Sequence, residues 1–188
     1  MKIIVINGQG GCGKDTFVGY CGWEDEGIYN FSMVDGIKHT AESLGWIGGK
    51  ELKDRKFLSD LKDLAAEYND FPFRNTISKI KNTIYNHRRY AYDYDYDLKH
   101  ELIFFIHARE PKDINRWVND YGARALIIRR PEIEGEYGNH ADDDVFEVEY
   151  DYVIWNTGDL YQLKDQAEKF IAQIREESWE SNIDGKNN

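Results

Sequence analysis

The sequence predicts an α/β fold in which helices cover both faces of a central parallel sheet of about five strands. Three observations carry that prediction. Short apolar runs alternate with helical periodicities along most of the chain. The first run, Lys2-Ile3-Ile4-Val5-Ile6-Asn7, passes without a break into Gly8-Gln9-Gly10-Gly11-Cys12-Gly13-Lys14-Asp15-Thr16. Finally, about 70 residues with only helical patterns separate the second strand from the third, against about 30 for an ordinary βαβ unit.

Ile3, Ile4, Val5 and Ile6 suit a buried strand because β-branched side chains fit a pleated surface. The loop that follows has the spacing Gly, four residues, Gly, Lys, the pattern that cradles phosphates. Gly8, Gly10, Gly11 and Gly13 let main-chain amides close round an anion, and Lys14 brings a point charge to the β/γ-phosphates. Ser or Thr usually follows the lysine; here Asp15 does, and the hydroxyl moves to Thr16. Cys12 reads as filler at a variable position, although nearby amide dipoles could lower its pKa.

The loop opens a short helix at about residues 14–20, which Gly22 can end. Ile28-Tyr29-Asn30-Phe31-Ser32 reads as the second strand. Val34, Ile37, Ala41 and Leu44 then recur at helical spacing, with Ser32 or Asp35 as cap and Gly45 as stop. Phe57, Leu58, Leu61, Leu64, Ala65 and Tyr68 mark one face of a further helix. Pro72 restarts another, with Phe73, Ile77, Ile80 and Ile84 on its apolar side. The alternating Tyr92-Asp93-Tyr94-Asp95-Tyr96-Asp97 reads as a solvated loop or edge.

Leu102-Ile103-Phe104-Phe105-Ile106, apolar on both faces, is the central-strand candidate. Pro111 and Gly122 bracket a helix striped by Ile114, Trp117, Val118 and Tyr121. Ala125-Leu126-Ile127-Ile128 is the fourth strand and ends in Arg129-Arg130-Pro131. An acidic segment precedes the last strand, Tyr152-Val153-Ile154-Trp155. Leu160, Leu163, Ala167, Phe170, Ile171 and Ile174 stripe the final helix, and the polar residues 176–188 are expected to fray. The result is a three-layer P-loop NTPase fold with a helical insertion between strands 2 and 3 and a short lid between strands 4 and 5. One domain, 1–188, is expected, with core 1–34 and 100–175, insertion 35–99, lid-like segment 130–150 and tail 176–188.

Charged residues make up 31% of the chain and the net charge is −11. Nucleic-acid binding needs clustered Lys and Arg, so that partner is not expected, whereas a local anion nest still admits a small phosphorylated ligand. No signal peptide or membrane span is expected, and Cys12 and Cys21 are too few for a disulfide framework. A cytoplasmic protein, monomer or homodimer, is the expectation.

Guanine-specific GTPase motifs are missing from the sequence. The central strand ends in His107-Ala108-Arg109-Glu110, a cation where motor ATPases place a metal-holding acid. That favours a small-molecule kinase whose acceptor carries its own phosphate. The Gly-Lys-Asp loop, Asn30-Phe31-Ser32-Met33-Val34-Asp35 followed by Lys38, the Ala-Arg-Glu-Pro-Lys-Asp-Ile turn at 108–114 and Asp-Tyr-Val-Ile-Trp-Asn-Thr-Gly-Asp-Leu at 151–160 occur in that order. The ordered set resembles the deoxynucleoside monophosphate kinase and phosphomevalonate kinase group of P-loop kinases, over about residues 2–175.

The resemblance implies an acceptor module in the insertion, a lid at 130–150 and an adenine-contacting loop at Asn156, Thr157 and Gly158. It implies ATP as donor and a (deoxy)nucleoside monophosphate as acceptor. The chain departs from the group in its acidic lid, with Asp142, Asp143 and Asp144, and in having His107 where an acid is frequent. Lys14, Arg109 and Arg130 are the catalytic candidates, Asp35, Lys38, Arg55 and Arg129 the acceptor-site candidates, and Thr16 with Asp15 the Mg²⁺ ligands. Two other readings stay open: a kinase for a non-nucleotide acceptor (phosphomevalonate-like, or a hydroxyl with Asp35 as base), and a non-catalytic ATP-binding regulator.

Overall fold

A computed structural model describes residues 1–23, 27–49, 51–94, 101–133 and 148–185, with 91–94 described by backbone alone. Five strands, β1 (Lys2–Asn7), β2 (Ile28–Ser32), β3 (Ile103–His107), β4 (Arg124–Arg129) and β5 (Tyr152–Trp155), form one sheet in the order β2-β3-β1-β4-β5. The pairs β1–β3, β1–β4 and β4–β5 are parallel, with Ile4 opposite Phe105 and Arg129 opposite Trp155. The helices are α1 (Lys14–Cys21), α2 (Asp35–Ser43), α3 (Leu52–Asn69), α4 (Phe71–Tyr94), α5 (Pro111–Tyr121) and α6 (Leu160–Glu176).

Strand alternation explains the layering. Ile4, Ile6, Ile103, Phe105, Leu126 and Ile128 share a buried cluster with Phe17, Val18 and Cys21 of α1 and Leu163, Ala167, Phe170, Ile171 and Ile174 of α6. The intervening Ile3, Val5, Phe104, Ile106, Ala125 and Ile127 are also buried, and α5 packs on β1 and β4 with Ile114 and Trp117 fully buried. Each fully buried Ile, Leu, Val or Phe among them contributes about 1.5–3 kcal/mol relative to exposure.

The chain divides into two compact units, Met1–Asn30 with Asp97–Asn188, and Phe31–Tyr96. In the second unit, α2, α3 and α4 pack on one another. Gly36 permits close approach of α2 and α4, since a Cβ there would lie 2.7 Å from Asn75 Oδ1 and 2.9 Å from Phe71 Cε1. Asp35 accepts from Ser32 N at 2.9 Å and from Lys79 Nζ at 3.2 Å. α3 departs from its expected stripe: no residue of it is buried, and Leu64 and Tyr68 are 66% and 84% exposed. Leu58, Leu61 and Ala65 of that stripe are half-buried, together with Lys62 and Ala66, so the covered face is turned part of a turn from the expected one. The backbone of Tyr92 to Tyr94 continues α4 instead of forming a loop or edge, while 95–97 lie outside the described residues.

From 177 to 185 the tail is tied back onto the core instead of fraying. Ser181 N donates to Met1 O, and the Ser181 hydroxyl accepts from Ile3 N at 2.9 Å and donates to Gly122 O at 3.0 Å. Asn182 N donates to Tyr121 O. The buried Lys2 ammonium donates to Ile174 O and Glu177 O, pairs with Glu101 at 3.1 Å and lies over the Trp179 ring. A chain ending at Glu176 is therefore expected to lose about 2–4 kcal/mol through buried donors left unpaired. Urea denaturation of that truncation against the full chain checks this; coincident midpoints would show that the tail contributes nothing.

Candidate functional site

β1 ends at Asn7, and residues 8–13 form the turn that carries the chain into α1. Three glycines of that turn have positive φ, Gly8 at 141°, Gly11 at 84° and Gly13 at 100°. Gly8 has no room for a side chain, because a Cβ would lie 2.4 Å from Ile128 O and 2.7 Å from Cys12 Sγ. At Gly13 a Cβ would meet Asn156 Nδ2 at 2.6 Å. The first rung of α1 is Phe17 N to Gly13 O at 2.9 Å, so the amides of the first turn have no intrahelical acceptor. Amides without a helical acceptor and the positive end of a helix make this turn suited to an anion.

Lys14 lies across the turn. Its ammonium donates to Gly8 O at 2.5 Å and Gln9 O at 2.8 Å, with Cys12 Sγ at 3.6 Å. Burial pulls its pKa below the ordinary lysine range; Cys12 opposes the shift and the Arg109 charge adds to it. The Cys12 thiol is itself pushed up by burial, the opposite of the lowering that amide dipoles suggest. It is 1% exposed and shields the underside of the loop.

Parallel strands deliver several of the expected residues to one sheet edge. Arg109 follows β3 and is exposed; Arg129 and Arg130 end β4; Asn156, Thr157 and Gly158 follow β5. A 3-10 turn, Pro131–Ile133, comes next to the phosphate loop: a Cβ on Gly11 would lie 3.8 Å from Ile133 Cδ1. Arg130 pairs with Glu132 at 2.9 Å, and the Arg129 guanidinium stacks on Trp155 with 4.8 Å to the ring centroid. Asn156 is buried, and its Nδ2 donates to Cys12 O at 2.9 Å, so its amide braces the loop, whereas Thr157 and Gly158 are exposed. The acidic residues Asp142, Asp143 and Asp144 lie outside the described residues.

Asp35, Lys38 and Arg55 belong to the second unit, where Lys38 and Arg55 are exposed on α2 and α3. Asp15 and Thr16 are exposed at the start of α1, and Asp15 Oδ1 lies 3.8 Å from His107 Nε2. A carboxylate and a hydroxyl are the hard oxygen donors that Mg²⁺ takes, so the donor set fits that ion.

Two residues escaped sequence reasoning. Asn7 is fully buried; its Oδ1 accepts from Gly8 N at 2.7 Å, and its Nδ2 donates to Tyr150 Oη at 2.9 Å and Arg109 O at 3.4 Å. The one signal for it was a polar residue closing an otherwise apolar strand. Tyr150 gave none, because a ring in an acidic aperiodic segment has no pattern to stand out from.

No known protein family matches the chain, and no curated protein does. Among solved structures it is similar to the dephospho-CoA kinase from Campylobacter jejuni, at 14% identity over 94% of this chain and 98% of that one, with a TM-score of 0.44.

Proposed function

We propose that the protein transfers the γ-phosphoryl group of ATP to a small acceptor that already carries a phosphate, with a (deoxy)nucleoside monophosphate the favoured class. The observation that carries this reading is the loop at 8–16. Its glycine conformations, its first-turn amides without a helical acceptor and the Lys14 ammonium lying across it belong to one segment at the sheet edge.

A phosphate monoester is largely dianionic at neutral pH, its second pKa being about 6, so it needs no general base. Catalysis then reduces to positioning and neutralising charge on a loose transition state. Lys14 and the first-turn amides of α1 hold the donor phosphates. Arg109, exposed beside them and bearing electrostatically on Lys14, meets the acceptor or transferring phosphoryl. Asp15 and Thr16 would hold Mg²⁺, which would supply neutralisation of the phosphate charge. Lys38 and Arg55 are the proposed ligands of the acceptor phosphate, and Arg129 and Arg130 would supply further charge from the lid root. The pairing of Asp35 with Lys79 and Ser32 N favours an anionic acceptor over a hydroxyl one, since it commits the carboxylate that would act as base.

The test is a coupled ADP-release screen with ATP and Mg²⁺ against the common mono- and deoxymononucleotides and phosphomevalonate. Turnover with one nucleotide is expected. ATP binding with no ADP release from any acceptor would instead establish a regulator. Arg109→Ala should raise KM for the acceptor or lower kcat by about 10²-fold while leaving ATP affinity within a few-fold. Loss of ATP affinity alone would move Arg109 to the donor side.

A further inference from the structure

Asn7 has one acceptor and two donor protons, and all three are used inside the protein. Its carbonyl oxygen takes the first amide of the phosphate loop, and the same glycine's carbonyl holds Lys14 Nζ at 2.5 Å. Its amide nitrogen reaches the Tyr150 hydroxyl and the carbonyl of Arg109. The donor-side lysine and the loop bearing the acceptor-side arginine are thus tied through one buried side chain, whose orientation Tyr150 helps to fix. A strand end needs no such arrangement, because Gly8 N alone could be satisfied by a single acceptor.

We propose that Asn7 and Tyr150 are positioning residues for phosphoryl transfer, their hydrogen bond setting the start of the phosphate loop and the backbone of Arg109 as one unit. This rests on the phosphotransfer reading above. Neither side chain touches the reacting atoms. Tyr150 acts on the phosphates through Asn7 and Gly8, so its removal perturbs triphosphate binding and turnover more than folding. Burial raises the Tyr150 phenol above its ordinary range, which keeps it neutral and the hydrogen bond unchanged across physiological pH.

Tyr150→Phe keeps the ring and deletes the oxygen. Titration calorimetry with Mg·ATP and with inorganic tripolyphosphate should show both weakened by the same factor, about tenfold, with kcat reduced as well and the melting point of the free protein within a few degrees of wild type. Asn7→Ser should weaken both ligands more, and adding Tyr150→Phe to it should cost little further, since the partner is already gone. Unchanged tripolyphosphate affinity in Tyr150→Phe, a loss matched only by a lower melting point, or fully multiplicative losses in the double variant would each overturn the assignment. Wild-type protein that binds neither ligand would overturn the phosphotransfer reading itself, and this one with it.

Discussion

Lys14→Ala is expected to lower kcat/KM for phosphotransfer by about a thousandfold or more, on the order of 4 kcal/mol of transition-state stabilisation. The ammonium is the one side-chain cation of the loop at 8–16, so no neighbour within the loop replaces its charge. The fold should survive. Removing the side chain deprives Gly8 O and Gln9 O of a donor, but it also removes a buried cation that is held at a desolvation cost. The sign follows from linkage. A lysine whose folded pKa lies below its ordinary 10.5 binds fewer protons folded than unfolded, so it makes stability rise with pH between those two values. Wild type should therefore lose less stability than Lys14→Ala as pH rises through that range, over the fall that the raised Cys12, Cys21, Tyr150 and Tyr152 impose on both, as chemical denaturation across alkaline pH would show. Near wild-type turnover in the variant would remove Lys14 from the site.

Among the described glycines, Gly8→Ala should be the most damaging substitution. The new Cβ would lie 2.4 Å from a carbonyl oxygen of central strand β4, at a φ of +141° that L-residues rarely adopt. Neither the strand nor Cys12, itself buried, can yield cheaply. A cost of about 3 kcal/mol or more is expected, which for a domain of this size lowers the melting point by roughly 6–12 °C. ATP affinity should fall with it. Gly10→Ala is the matched control for stability, since nothing lies within 4 Å of a Cβ there. Equal melting points for the two variants would mean that the loop is not seated against β4 as described.

How much of this was legible in the sequence depends on the kind of signal. Strands β1, β3 and β4 were readable because each is an apolar run bounded by turn residues, and burial on both faces leaves no other use for Ile103, Phe104, Phe105 and Ile106 together. The phosphate loop was readable because its glycines are required by backbone geometry. The tail was not. Ser181 and Trp179 act as isolated anchors, and a single buried serine has no period to reveal it. α3 misled because Phe57, Leu64 and Tyr68 complete a good helical stripe with Leu58, Leu61 and Ala65, whereas the face that packs takes Lys62 and Ala66 in their place. A stripe says which side chains are apolar, not what neighbour is available to cover them. Within the site, charged residues announced themselves and the neutral braces did not: Asn156 was expected to face a ligand, and the structure gives its amide to Cys12 O.

The account depends on the amides and lysine of residues 8–16 enclosing a chain of phosphates. A crystal structure with a non-hydrolysable ATP analogue and Mg²⁺ tests that most directly. It should show the β-phosphate seated against the first turn of α1, with Lys14 Nζ turned from Gly8 O and Gln9 O onto phosphate oxygen. A bound analogue lying elsewhere, with Lys14 still on those two carbonyls, would contradict it.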